Sequence, residues 1–211
     1  MQLKEIEKLA ASVMEKAVDA KEVAGVNLLV LKDKAPVLSL HAGYADLENK
    51  VLMEDDTIMR LYSMSKPVTA ACMMILMQRG LVDLNDPVSK FIPAFANQTY
   101  VNGNALSLVQ RPMTVHDLLF MTSGLSYGSD SAAGKATSDL FAEMDARLST
   151  KDAMTTREFA DRVGKNPLEF EPSSNFMYGI SADILGALIE VISGMSFAEF
   201  SKQEITDPLE R

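Results

Sequence analysis

Two side chains near residue 65 are spaced for covalent chemistry. Ser63 and Lys66 lie in Ser63-Met64-Ser65-Lys66-Pro67, directly ahead of an apolar helical stretch. Residues three apart on a helix share a face. Ser63 and Lys66 are therefore expected to point into one space above the helix N-terminus. A serine hydroxyl is a weak nucleophile that needs a neighbouring base or charge. A lysine one turn along can supply either, acting as a base if burial lowers its pKa. The partial positive charge of the helix start favours developing negative charge there. Ser65 is adjacent to Lys66 in the chain and projects elsewhere, so Ser63 is the preferred nucleophile. Taken alone, the same pair fits a capped helix with a solvated lysine, because this spacing is common.

Tyr178 is the second candidate, in Asn175-Phe176-Met177-Tyr178-Gly179-Ile180-Ser181, just before another helix start. A free tyrosine ionises near pH 10. A lysine cation beside it favours the phenolate and makes it usable as a general base. A core tyrosine with its hydroxyl satisfied is the commoner reading of such a residue. Gly124-Leu125-Ser126-Tyr127-Gly128 fits the Gly-x-Ser-x-Gly pattern. That pattern carries meaning on a strand-to-helix turn. Here it follows a helix and enters a Gly/Ser-rich loop, so Ser126 is set aside. His41 falls in a strand and His116 at a helix start, both in structural roles. Cys72 and the methionines Met73, Met74 and Met77 read as core filler.

These residues need elements to hold them. The chain has 211 residues and a net charge of −9, with a single cysteine and two histidines. The length allows one or two domains. The acidic balance disfavours nucleic acid and anionic membrane surfaces, which call for basic patches. One cysteine excludes an intrachain disulfide and a cysteine-based zinc cluster. Charges at Lys4, Glu5, Glu7 and Lys8 break any signal-peptide pattern. The longest apolar run after that, Ala70 to Met77, falls far short of the ~20 residues a membrane span requires. The expectation is a soluble protein with no membrane insertion, either cytoplasmic or with a signal already removed.

Apolar spacing predicts a helix over 3–20, and Gly25–Leu31 and Val37–Gly43 read as a β-hairpin turning at Asp33-Lys34. Pro36 is expected just ahead of the second strand, and 45–57 is expected as loop. Helices follow at 67–79, closed by Gly80, at 115–121, opened by Thr114 with Asp117, at 139–148, and at 156–164. The last two are expected at 181–193, stopped by Gly194, and after the capping box Ser196–Glu199. Asp86-Pro87 reads as an N-cap with proline at the first helical position, and 122–138 reads as loop. Domains are expected at 1–60, a helix and hairpin, and at 61–211, mostly helical.

Several segments together resemble the serine β-lactamase-like family, which includes class C β-lactamases, penicillin-binding DD-peptidases and related esterases. They are His41–Asp46, Thr57–Pro67, Gly80–Val88, Thr114–Leu119 with Thr122–Leu125, Leu185-Gly186 and Asp207–Leu209. The resemblance runs from about residue 20 to 209, in the family's order. It implies an α+β fold, with a helical region beside an antiparallel sheet. It further implies Ser63 as the acylated nucleophile, Lys66 assisting proton removal, and Tyr178 as base in acylation or as donor to the leaving group. No metal or organic cofactor is implied, and the partner is a small-molecule ester or amide.

The sequence departs from the family in two places. Many members carry asparagine two residues after the tyrosine, where its amide binds the substrate's amide; this chain has Ile180. That moves the expectation toward an esterase acting on small acyl esters, with β-lactamase or D-Ala-D-Ala carboxypeptidase as the alternative. A non-catalytic binding protein of the same fold is the third reading. The family's third motif, Lys-Thr-Gly or a His/Trp variant, is not found, and the chain has no tryptophan. The expectation is the N-terminal part of a larger hydrolase, with sheet strands missing. An unpaired sheet edge and uncovered apolar helix faces invite another chain. Self-association or marginal stability is expected. A monodisperse, thermally robust monomer in light scattering contradicts that expectation.

Overall fold

The computed structural model describes residues 3–209, which divide after Leu61 into two compact units. The first unit opens with helix α1, Leu3–Asp19. Strands β1, Gly25–Lys32, and β2, Ala35–Asp46, follow as an antiparallel hairpin. Asp33 and Lys34 form its two-residue turn, both with positive φ (53° and 65°), the geometry that matches strand twist. Helix α1 packs on this hairpin, with Met14 and Leu38 buried.

Two expectations for this unit need correction. Pro36 lies inside β2, opposite Leu31, where the register shifts after Val30. An irregular ladder position tolerates its missing N–H. The segment expected as loop over 45–57 contains a third short strand, β3, Val51–Leu52, paired with the end of β2. The sheet order is β1-β2-β3. β3 is too short for a period-two signal, and it forms because the chain folds back after the Asp46 turn, where Asn49 caps the Asp46 carboxylate.

The second unit is built on helices α2, Ser65–Gln78, and α6, Ser181–Ser193, which pack together. Around α6 stand α3, Val115–Leu119, α5, Thr156–Val163, and α7, Phe197–Ser201. Seven residues of α6 are buried, and a helix apolar on nearly every side belongs in a core. Cys72, Met73 and Leu76 of α2 meet Leu118, Ile180, Ile184 and Leu188 in one apolar cluster. Gly80 and Gly194 follow α2 and α6 in left-handed conformations, φ 71° and 73°.

The structure revises three further expectations. Helix α4, Ala132–Arg147, starts inside the segment expected as loop, with Ser131 as its N-cap. Its buried positions are Ala133, Gly134, Thr137 and Leu140, mostly small residues that carry little hydrophobic signal. Asp86 does not cap a helix. Pro87 in extended conformation precedes a single 3-10 turn, Val88–Lys90, and the Asp86 carboxylate pairs with Lys90 instead. A second hairpin was not expected: β4, Thr99–Asn102, and β5, Ala105–Leu108, turn at Gly103-Asn104. The β4 backbone also bonds Leu168.

One carboxylate ties the approach to the site together. Asp117 is fully buried and accepts from Arg111 Nη2 (2.7 Å), the Thr114 amide and hydroxyl (2.9 Å each) and Thr122 Oγ1 (3.2 Å). Burial pushes its pKa up, but the Arg111 and Thr114 hydrogen bonds outweigh that and hold it below the usual range. A lowered folded pKa stabilises above the ordinary carboxylate pKa and is lost as pH falls through the folded value. Asp117→Ala is expected to cost about 1–3 kcal/mol in urea unfolding at pH 7, because it strips the acceptor from the Thr114 and Thr122 donors. The gap from the parent chain should narrow on acidification. A constant gap from pH 7 to pH 3 contradicts this.

Candidate active site

Every side chain of the candidate site belongs to the second unit. Ser63 sits in a 3-10 turn, Tyr62–Met64, that runs directly into α2. Tyr62 has φ 47°, a strained conformation for a bulky residue that marks the sharp turn presenting Ser63. Lys66 lies on the first turn of α2. Its Nζ donates to Ser63 Oγ at 3.3 Å, so the expected shared face is present.

Tyr178 approaches from the other side, just ahead of α6. Its segment is tied down by Met177 N to Met121 O (2.9 Å), Ser173 N to Thr122 O (2.8 Å) and a buried Ser123–Ser181 hydroxyl pair (2.8 Å). Tyr178 Oη stands 2.7 Å from Ser63 Oγ. Ser63, Lys66 and Tyr178 thus meet at one oxygen. The neutral phenol donates to Oγ, while the phenolate accepts the serine hydrogen across the same contact.

Tyr127 completes the group and was missed by sequence reasoning. Its Oη accepts from Lys66 Nζ at 2.8 Å, and its ring lies 5.9 Å from that of Tyr178. Lys66 Nζ lies 4.7 Å from the Tyr178 ring centroid and 5.5 Å from that of Tyr127. Such cation–ring contacts add to the hold on the ammonium. Tyr127 sits inside the set-aside Gly-x-Ser-x-Gly pattern, and its separation from Lys66 gives no periodic signal. Gly179 makes the approach geometrically feasible: a Cβ there would stand 2.0 Å from Leu125 O, so only glycine lets this loop pass Tyr178.

The charges sort themselves. Burial pulls the Lys66 pKa down, but the Tyr127 and Tyr178 hydroxyls outweigh it and hold the ammonium above its ordinary value. That direction is opposite to the lowering by burial that a lysine base would need. Tyr178 shifts the other way: contact with Ser63, and then Lys66, lowers its pKa. Asp183, on the first turn of α6, is pushed up by the surrounding protein, and Lys66 opposes this only in part.

The other candidates stand apart. Ser126 is buried and donates to Glu169 Oε1 at 3.0 Å. His116 stacks on Phe120 with ring centroids 4.3 Å apart, and His41 belongs to the first unit, 3.8 Å from Asp55. Ser65 is the exception: expected to project elsewhere, it lines the same cavity as Ser63, which corrects that expectation. Ile180 is fully buried in the core, so no side-chain amide stands in the place its family position would fill. Among the described residues, no cluster of three or more His, Cys, Asp or Glu could hold a metal.

Beside Ser63 and Lys66 opens a cavity of ≈ 530 Å³, walled by Phe141, Met144, Phe159 and Phe197 with Asp183 at its edge. Gly186 of α6 is buried, yet a Cβ there would meet nothing within 4 Å, so its bare backbone forms part of the wall.

Comparison with known proteins adds a family context. The family model described as Beta-lactamase matches residues 10–211. Esterase EstB of Burkholderia gladioli is 29% identical over 203 residues, covering 94% of this chain and 48% of its own. A putative D-alanyl-D-alanine carboxypeptidase of Salmonella agona is 29% identical over 197 residues, 87% of this chain and 41% of its own. The solved structure of EstCE1, a hydrolase with promiscuous acyltransferase activity, superposes with TM-score 0.78 at 28% identity, covering 96% of this chain and 51% of that one. The chain spans about half the length of these relatives.

Asp183 gives a testable sign. A raised folded carboxyl pKa means that ionisation is disfavoured in the native state, so stability falls as pH rises past the ordinary carboxylate value of about 3.9. Asp183→Asn is expected to match the parent's thermal midpoint near pH 3.5 and exceed it at pH 8. A variant less stable than the parent at pH 8 contradicts this.

Proposed function

The chain belongs to the Beta-lactamase family, and we propose that it carries the acylation machinery of a serine hydrolase working through an acyl-enzyme on Ser63. The observation that carries this reading is the convergence of Tyr178 Oη (2.7 Å) and Lys66 Nζ (3.3 Å) on one serine oxygen. Lys66 remains a cation and favours the Tyr178 phenolate. Tyr178 takes the Ser63 proton as Oγ attacks the substrate carbonyl carbon. The carbonyl π pair moves to oxygen, then returns as the bond to the leaving oxygen breaks. Tyr178 gives the proton to that oxygen, and the acyl group stays on Oγ. Water then repeats the cycle, with Tyr178 taking its proton and returning one to Ser63.

Esters of small acyl groups fit best. An ester needs no partner for an amide N–H, and Ile180 offers none. β-Lactamase or D-Ala-D-Ala carboxypeptidase activity is the second reading, favoured by the carboxypeptidase relative. A p-nitrophenyl butyrate assay beside a nitrocefin assay separates the two.

A fluorophosphonate probe followed by peptide mass spectrometry tests the nucleophile. The tag is expected on Ser63 and lost in Ser63→Ala; a tag elsewhere overturns the assignment. Tyr178→Phe is expected to slow labelling about 10²–10⁴-fold, the usual worth of a general base. The labelling rate should rise with pH along a limb below the ordinary tyrosine pKa of about 10. Lys66→Met should move that limb upward. A limb that stays in place means that Lys66 does not set the charge of Tyr178.

A further inference from the structure

Tyr127 is held in place by an acid that plays no direct part in the chemistry above. It sits on the loop between Gly124 and Ser131, which has no regular secondary structure. Ser126 and Ser129 flank it, and both hydroxyls donate to a single oxygen, Glu169 Oε1, at 3.0 and 2.6 Å. The Glu169 amide donates to Gly124 O at 2.8 Å. One residue thus grips the loop at its start by main chain and on both sides of Tyr127 by side chain. Hydrogen bonds to a carboxylate are shorter and stronger than neutral ones.

The grip is itself anchored. Leu168, next in the chain, exchanges backbone bonds with β4: Leu168 N to Thr99 O at 2.7 Å and Val101 N to Leu168 O at 2.8 Å. The far end of the loop runs into α4, where Ser131 N donates to Ser129 Oγ at 3.1 Å and Gly134 N donates to Ser131 Oγ at 2.9 Å. Gly134 gives the loop room, since a Cβ there would lie 2.0 Å from Ser129 N.

We propose that Glu169 is a positioning residue for the Ser63 reaction: by clamping Ser126 and Ser129 it fixes Tyr127 against Lys66, and so holds the ammonium between Ser63 and Tyr178. This rests on the reading of Ser63 as the acylated residue. Glu169 touches neither Ser63 nor Lys66; its effect passes through the Tyr127 hydroxyl. A looser Tyr127 lets the ammonium drift, and Tyr178 then ionises at higher pH.

Fluorophosphonate labelling of Ser63 against pH tests this on the full chain. Glu169→Ala is expected to move the ascending limb up by about half to one pH unit, which slows labelling about threefold to tenfold below the limb. Glu169→Gln keeps an acceptor oxygen for both serines and should restore the parent limb. In a Tyr127→Phe background, Glu169→Ala should add nothing further. If Glu169→Ala fails to fold by circular dichroism, Ser126→Ala/Ser129→Ala removes the donors and leaves the carboxylate, with the same limb shift expected. Slower labelling with an unmoved limb, or the same slowing without the Tyr127 hydroxyl, overturns the proposal and leaves Glu169 a structural clamp. Failure of the parent chain to label Ser63 at all overturns the acyl-enzyme reading first, and this proposal falls with it.

Discussion

One ammonium, that of Lys66, organises the site. It contacts Ser63 Oγ and Tyr127 Oη and lies over the ring of Tyr178. A cation that is partly withdrawn from water survives only where oxygens and aromatic faces replace the lost hydration. Here two tyrosines do so, and the exchange runs both ways: they hold the lysine protonated, and it lowers the cost of ionising Tyr178. In the proposed reaction the base is a phenol whose pKa is lowered by contact with Ser63 and then by Lys66.

That arrangement demands three chain segments in register. Lys66 is on α2, Tyr178 is on the entrance to α6, and Tyr127 is on a loop. The first two are set by the apolar packing of α2 on α6, where Cys72, Met73 and Ile184 are fully buried. The third is a polar, glycine-rich loop that sinks one apolar side chain, Leu125, into the same cluster and stacks the Tyr127 ring 6.4 Å from that of Phe141. Polar contacts complete its hold: the Ser123–Ser181 pair and the Glu169 carboxylate, while the bare backbone of Gly179 leaves the loop room. The large packing energy fixes the helices, and a few hydrogen bonds fix the last ångström.

What the sequence made legible follows from the range of its signals. Ser63 and Lys66 lie one turn apart, and the Thr114–Asp117 and Ser196–Glu199 capping boxes span one turn each, so local geometry alone places them. Helices α1 and α6 show in their apolar spacing. Only the second half of helix α4 showed, at 139–148; its first half stayed hidden because its buried face is Ala133, Gly134 and Thr137, where fit against the loop matters more than hydrophobicity. The β4–β5 hairpin has only four residues per strand, too few for period-two alternation to stand out. Tyr127 lies 61 residues from Lys66, and no local spacing rule links such a pair. Tyr178 was reached by combining residue chemistry with family likeness rather than by periodicity.

Gly186 bears on how this fold can change. A glycine within a helix weakens it by about 1 kcal/mol relative to alanine, and proteins keep one there when a neighbour leaves no room for a side chain. Here there is no such neighbour, only open cavity. A side chain at this position therefore grows into free space while the buried faces of α6 stay as they are. The width of the chamber beside the serine is adjustable by methyl-sized increments at one point, and the first of them also strengthens the helix that carries it.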